Sequence, residues 1–159
     1  MEQVEVIFHR ESIVHSLVEF SDGSIKAQLG VPDMRLPIQC ALAYPDRMPL
    51  PPAPSLDLAD IGALNFGRPD IKRFPCLSLA MSAGKEGGTY PAVMAAADEI
   101  AVNRFLSGEI RFIDIAGIIE SVLLEHGKAA VTKEPSLDEV LEVDAWARIV
   151  AATATVGSQ

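Results

Sequence analysis

In the second half of the chain, apolar residues recur every three to four positions, the spacing of a helix that buries one face. This pattern predicts four helices, over residues 75–85, 90–106, 114–126 and from Ser136 onward. Pro91 stands in an opening turn, Gly108 follows the last apolar position of the second helix, and Ser136 with Glu139 has the form of a capping box. Amphipathic helices joined by short loops predict a four-helix bundle over residues 73–159.

The first half of the chain alternates apolar and polar residues, which favours strands. A strand is predicted over Val4–Phe8, and two more over residues 13–20 and 25–29 on either side of Asp22-Gly23. Read as a two-residue type I′ loop, Asp22-Gly23 sets the register of a hairpin. In that register, Phe20 faces Ile25, and Glu19 lies opposite Lys26.

After the hairpin, Asp33 is placed to cap a helix that ends near Ala43. Residues 44–54 then hold five prolines in eleven residues, a composition typical of an extended connector. A further short strand is predicted near residues 56–58. The sequence therefore predicts an α+β chain with three parts. These are the C-terminal part of a catalytic domain over residues 1–43, a proline-rich linker over 44–72 and the helical bundle over 73–159.

A hairpin with one further strand is too small to be stable by itself. Three explanations stay open. The β part packs on the bundle, pairs with a second copy of the chain, or belongs to a sheet whose remaining strands lie outside this sequence. The second explanation predicts a homodimer through residues 4–29.

Composition narrows the class of protein. The chain has 159 residues, a net charge of −9, 49% hydrophobic and 22% charged residues. Its acidity and its scattered lysines and arginines argue against nucleic-acid binding. No apolar run approaches the roughly 20 residues that span a bilayer, and the first residues do not resemble a signal or transit peptide. A cytoplasmic location is expected, with Cys40 and Cys76 as reduced, mostly buried thiols.

Several segments also match a known pattern in order. They are His9 and Ser12 with His15-Ser16 and Asp22–Ser24, Leu29–Arg35 (LGVPDMR), Val93–Glu99 (VMAAADE), Arg104–Leu106 (RFL) and Ile110–Ile115 (IRFIDI). They resemble the HPQS, I/V-H-S, DGS, LGxPDMR, ALNAANE, AFL and IxFxDI segments of the 1-deoxy-D-xylulose 5-phosphate reductoisomerase family. The resemblance covers residues 4 to about 148. The chain departs from the pattern where Arg10-Glu11 replaces Pro-Gln and Asp98 replaces Asn.

The resemblance implies the C-terminal part of an enzyme that rearranges a sugar phosphate and reduces it to 2-C-methyl-D-erythritol 4-phosphate. It implies NADPH and Mg²⁺ or Mn²⁺ as cofactors of the complete enzyme, with the N-terminal part of that enzyme as a partner. It also implies that His9 lies beside the substrate and that Pro32 and Met34 border the nicotinamide.

The residues by themselves leave other interpretations open. His9 also suits a surface position at a strand end, Met34 suits core packing, and Arg35 favours a surface ion pair. His9, Ser12 and His15 do not predict a nucleophile–base set, because no acid is evident to orient a histidine. Neither a glycine-rich strand–turn–helix nor a carboxylate cluster is evident, and Asp98-Glu99 suits a solvated helix face. We therefore expect no catalysis from this chain alone.

Two other functions compete with the enzymatic one. The first is a non-catalytic helical bundle that serves binding or dimerisation, and the weaker one is a regulatory domain of another enzyme.

Overall fold

The computed structural model describes residues 3–49, 52, 55–128 and 132–155. The chain forms two compact units, Glu5–Pro69 and a helical unit of Asp70–Gln159 with Met1–Val4. In chain order the elements are β1 (Phe8–His9), β2 (Val14–Glu19), β3 (Ile25–Leu29), α1 (Arg35–Ala43), α2 (Leu58–Ile61), β4 (Phe66–Gly67), α3 (Cys76–Glu86), α4 (Tyr90–Leu106), α5 (Asp114–His126) and α6 (Leu137–Thr153).

The long helices begin and end close to where the apolar periodicity predicts. Pro91 lies in the first turn of α4, where its missing N–H removes no hydrogen bond. The capping box at the start of α6 is confirmed. The Ser136 backbone N–H donates to Glu139 Oε2 at 2.7 Å, and the Glu139 backbone N–H donates to Ser136 Oγ at 3.3 Å.

The core of the helical unit lies where α4, α5 and α6 pack together, and α3 contacts both α4 and α5. Its fully buried members, each at most 1% exposed, are Val93, Ala96, Ala97, Ala101, Ile118, Ile119, Val122, Ala147 and Ala151. Alanines supply the buried positions of α6, and small side chains let two helix axes approach closely. The packing of α4 with α5 and α6 is established, whereas a closed four-helix bundle stays a prediction.

The hairpin forms, but its predicted register is wrong by one residue. Glu19 pairs with Ile25 and Val18 with Lys26, and the ladder is irregular between Val14 and Ser16. The Phe20 N–H donates to Ser24 O and the Gly23 N–H to Phe20 O, both at 2.9 Å.

The loop is therefore three residues long, with Gly23 at φ +81° as its left-handed residue. The Asp22 carboxylate fixes the exit from the loop, because it accepts from the Ser24 N–H at 2.9 Å and from the Ser24 hydroxyl at 2.6 Å. One additional loop residue moves every cross-strand partner, so the predicted Glu19–Lys26 pair does not form.

Two other strand predictions need correction. The strand predicted over Val4–Phe8 is reduced to Phe8–His9, which pairs with Phe66–Gly67 in antiparallel register. Residues 56–58 do not form a strand. Instead Asp57 caps the short helix α2 by accepting from the Ala59 N–H at 2.8 Å, and an N-capping aspartate favours a helical turn over an extended segment.

The helix predicted after Asp33 is confirmed as α1, and the Asp33 carboxylate accepts from the Arg35 N–H at 3.0 Å. Residues 50, 51, 53 and 54 of the proline-rich segment lie outside the described residues. Gln39 of α1 donates its side-chain amide to Met48 O at 3.0 Å and to Pro49 O at 3.1 Å, which ties the segment after α1 back to that helix. The predicted domain boundaries stay predictions.

Candidate functional site

A cavity of about 640 Å³ lies in the Glu5–Pro69 unit, between the base of the hairpin and α1. Pro32 and Met34 both line it. Met34 is 71% exposed, so it is not a core residue and its thioether is open to a ligand. The wall also includes Ser12, His15, Cys40, Arg47 and Met48.

Local hydrogen bonds hold the Leu29–Arg35 segment on this wall. The Gly30 N–H donates to Ile13 O at 3.0 Å and so continues the hairpin for one residue beyond β3. Arg35 then pairs with Asp33 at 2.6 Å, which confirms the predicted surface ion pair. Hydrogen bonding to Arg35 lowers the pKa of the Asp33 carboxyl, so this carboxylate stays ionised. Pro32 and Met34 are thus presented by a short, internally braced turn.

His9 does not line this cavity. It lies on β1, where its ring stacks on Phe66 at 4.6 Å between centroids. His9 Nδ1 lies 2.8 Å from Asn65 O and 3.0 Å from Glu11 Oε2, and its side chain is only 6% exposed. The structure therefore brings Pro32 and Met34 together with Ser12 and His15, and places His9 in a separate polar cluster with Glu11 and Asn65.

The orienting acid that no sequence motif predicted for His9 is Glu11. It follows His9 by two residues, and Ser12 between it and β2 has a left-handed φ of +51°. The partner Asn65 is 54 residues from Glu11, a pairing that no local sequence pattern indicates.

A second cavity, of about 630 Å³, lies in the helical unit beside a buried hydrogen bond between Thr89 Oγ1 and His126 Nε2 of 2.8 Å. Thr89 is 3% and His126 6% exposed. Tyr90 meets the histidine ring edge-on at 5.0 Å between centroids, and Trp146 lies at 5.7 Å. Burial lowers the pKa of His126. Neither residue stood out in the sequence, because each is a single polar residue at a helix end.

The acidic residues of the described ranges do not converge. Among residues 3–49, 52, 55–128 and 132–155, no three histidine, cysteine, aspartate or glutamate side chains are placed to hold a metal ion. Asp98 and Glu99 lie on the exposed side of α4, and Glu99 pairs with Arg148 at 2.9 Å. Both cysteines are unpaired and only partly buried, and burial raises the pKa of the Cys76 thiol. Within the same residues, none of the helices combines the length and the hydropathy that crossing a bilayer requires.

Comparison with known proteins extends this picture. Residues 29–150 match the family model described as the DXP reductoisomerase C-terminal domain. The chain is 53% identical over 146 residues to 1-deoxy-D-xylulose 5-phosphate reductoisomerase of Pelotomaculum thermopropionicum. This alignment covers 92% of this chain and 37% of that enzyme. Against the enzyme of Bacillus subtilis it is 53% identical over 143 residues, or 90% of this chain and 37% of the relative.

Solved structures agree with these matches. The Zymomonas mobilis reductoisomerase in complex with NADPH aligns with a TM-score of 0.83 and 49% identity, over 95% of this chain and 39% of that one. A DOX-P reductoisomerase in complex with NADPH, fosmidomycin and magnesium aligns with a TM-score of 0.84 and 39% identity, over 94% of this chain and 38% of that one. The chain thus spans about two-fifths of the length of the relatives that it matches.

Proposed function

Because this chain belongs to the 1-deoxy-D-xylulose 5-phosphate reductoisomerase family and corresponds to its C-terminal part, we propose that it completes an NADPH- and divalent-metal-dependent reductoisomerase. The reaction of the complete enzyme is the rearrangement of the sugar phosphate and its reduction to 2-C-methyl-D-erythritol 4-phosphate. The remaining part of the enzyme supplies the dinucleotide fold and the metal ligands.

The observation that carries the proposal is the exposure of Met34 beside Pro32 on the cavity wall. An apolar, polarizable thioether and a rigid pyrrolidine ring suit the flat face of a nicotinamide, from which they exclude water. NADPH, when bound, supplies the hydride, and the role of Pro32 and Met34 is to orient the ring that carries it. The Asp33–Arg35 ion pair stabilises the turn that presents both side chains.

The described residues do not fit a metal site of their own, since they contain no group of three suitable ligands. Solved relatives are described in complex with magnesium, one of them together with NADPH and fosmidomycin. We therefore assign the metal of the complete enzyme to ligands outside the described residues and derive no role for this chain in holding it.

Substitution of Met34 in the complete enzyme tests the assignment. For Met34→Ala, we expect kcat/KM for NADPH to fall roughly tenfold, the scale of one lost apolar contact of about 1.4 kcal/mol. The melting temperature should not change, because the side chain is already 71% exposed. Leu42→Ala is a matched control, since Leu42 is 85% exposed on α1 and does not line the cavity. Parental kinetics in Met34→Ala would contradict the contact proposed between Met34 and the nicotinamide.

The isolated 159-residue chain should be inactive. Hydride transfer needs a held dinucleotide, and the rearrangement needs a divalent ion. We place the dinucleotide fold and the metal ligands outside the described residues. The measurement is NADPH oxidation by purified chain with substrate and Mn²⁺. Turnover by a preparation of the chain that is free of host reductoisomerase would contradict the proposal that the remaining part of the enzyme supplies the dinucleotide fold and the metal ligands.

The hairpin supports a homodimer. Leu17 and Ile25 are 41% and 59% exposed, and in the observed register both lie on the same face as Ala27. An exposed apolar face on two strands favours cover by a second copy. Light scattering at micromolar concentration should give a dimer for the chain and a monomer for Ile25→Glu. A monomer for the unsubstituted chain would contradict the proposal.

A further inference from the structure

The segment that follows α1 supplies another part of the wall of the cavity that contains Pro32 and Met34. Arg47 and Met48 lie on this segment, and both line that cavity. Both side chains are exposed. The proposed nicotinamide contact uses only Pro32 and Met34, so this side of the cavity has no role in it.

Hydrogen bonds hold the segment on both sides of Arg47. Before it, the Asp46 N–H donates to the carbonyl oxygen of the last residue of α1 at 2.9 Å. After it, the Gln39 side-chain amide donates to Met48 O at 3.0 Å and to Pro49 O at 3.1 Å. One amide of α1 thus clasps two successive carbonyl groups. The backbone of Arg47 is therefore fixed relative to α1, and its side chain starts from a defined point on the cavity wall.

The guanidinium of Arg47 has no carboxylate partner among the described residues. The arginines that pair with carboxylates in that part of the chain are Arg35, Arg104, Arg111 and Arg148. Asp33 is the one carboxylate among the described residues that line the cavity, and both of its oxygens already accept from Arg35. In a chain with a net charge of −9, an arginine without such a partner on a cavity wall favours an anionic ligand.

The chemistry of the arginine side chain narrows the class of anion. A guanidinium is planar and carries five N–H donors in a fixed fork, so it matches two oxygens of one phosphate group. Both ligands of the proposed reaction carry phosphate groups. These ligands are the sugar phosphate and NADPH, in which a ribose separates the nicotinamide from the pyrophosphate. Phosphate is therefore the group that suits Arg47.

We propose that Arg47 pairs with a phosphate group of the ligand that occupies this cavity, and that Gln39 is a positioning residue for the contact. The inference rests on the proposed function. It adds an electrostatic contact to the apolar one proposed for Pro32 and Met34. The contact needs no opening of the fold, because Arg47 is already exposed on the cavity wall.

Calorimetry on the complete enzyme measures this contact without turnover. For Arg47→Gln, the Kd of NADPH or of the sugar phosphate should rise roughly tenfold, the scale of a hydrogen bond between charged groups. The ligand whose Kd rises identifies the phosphate. The rise should shrink as NaCl is added, because salt screens an exposed charge pair. Arg47→Lys keeps the charge and should restore part of the affinity.

Arg68→Gln is the matched control, since Arg68 is exposed in the same unit and does not line the cavity. It should leave both Kd values unchanged. Parental affinity of Arg47→Gln for both ligands would overturn the proposal. A lowered melting temperature in that variant would then indicate that Arg47 pairs with a carboxylate in the remaining part of the enzyme.

A double-mutant cycle tests the role of Gln39. Gln39→Ala should raise the same Kd by less than Arg47→Gln does, because the guanidinium remains while its segment is released. Combining both substitutions should give the Kd of Arg47→Gln alone, since Gln39 acts through Arg47. Additive losses would overturn the positioning role. An unsubstituted complete enzyme that binds both ligands without reductoisomerase activity would remove the proposed function, while the same Kd values would still decide the phosphate contact.

Discussion

The two units of the chain differ in where their apolar side chains lie. In the helical unit, α4, α5 and α6 enclose side chains such as Val93, Ile118 and Ile119 almost completely. In Glu5–Pro69, Ile13 is the one buried apolar residue among those described, while Val18 and Ile25 are more than half exposed. The helical unit therefore has a core of its own. Among its described residues, the Glu5–Pro69 unit, called the hairpin unit below, does not.

This difference in burial suits the two units to different roles: the helical unit stabilises the fold, and the hairpin unit leaves side chains free to bind. A buried isoleucine contributes about 1.5–3 kcal/mol by leaving water, so the helical unit gains from every position on its apolar stripes. The hairpin unit leaves comparable side chains in water, an arrangement that a larger sheet, a second copy or a ligand would relieve. The cavity with Pro32 and Met34 lies in this second unit. The chain thus places its candidate site where burial within the chain is least complete.

Truncating one isoleucine in each unit should give the largest contrast. Ile119→Ala in α5 should lower the free energy of unfolding by about 2–5 kcal/mol, because the residue is fully buried and leaves a cavity. Ile38→Ala in α1 removes the same atoms from a residue that is 54% exposed, so its effect should stay below about 1 kcal/mol. Urea denaturation followed by circular dichroism and by Trp146 fluorescence measures both. Equal losses would contradict the comparison.

Two glycines with left-handed backbones make a second contrast. At Gly88, φ is +55° and a Cβ atom would overlap the Thr132 carbonyl oxygen. At Gly23, φ is +81° and the space around a Cβ atom is open. Gly23→Ala should cost about 1–2 kcal/mol from backbone strain, and Gly88→Ala should cost more than about 2 kcal/mol because the overlap adds to that strain. Thermal unfolding measures both, and a smaller loss for Gly88→Ala would show that the overlap is readily relieved.

Acid should weaken the helical unit through His126. Burial lowers its pKa below the ordinary 6.5. The folded state thus resists protonation, and the stability this contributes is complete above about pH 6.5 and is lost as pH falls towards the folded pKa. Glu125, Glu139, Glu142 and Lys128 line the adjoining cavity. The melting temperature should fall between pH 7 and pH 5, and less steeply in His126→Gln. His15→Gln is the control, and an unchanged slope in His126→Gln would exclude His126 as the cause.

The smallest effect should come from the exposed ion pair on α4. Glu99→Gln removes the partner of Arg148, but Arg148 also pairs with Asp144 at 2.7 Å on its own helix. Surface pairs contribute little because water screens them. The midpoint of urea unfolding should therefore change less than in Gly23→Ala. A larger loss would mean that this side of α4 is not a simple solvated face.

Sequence alone determined where the long helices begin and end almost completely. Helix periodicity, Pro91 and the Ser136 capping box depend on residues three or four positions apart, so local chemistry specifies them. The family pattern likewise identified Pro32 and Met34 as candidates, and the structure places both on one cavity wall.

Tertiary structure decided the rest, because it depends on partners distant in sequence. The hairpin register followed from a three-residue loop in which Gly23 takes a left-handed φ, a choice that the letters Asp-Gly do not make by themselves. β4 formed at Phe66–Gly67 because it pairs with β1, which lies more than fifty residues earlier in the chain. The His9–Glu11–Asn65 cluster required that same pairing. Two-residue strands carry too little local preference to be read from sequence, and only their mutual hydrogen bonds select them.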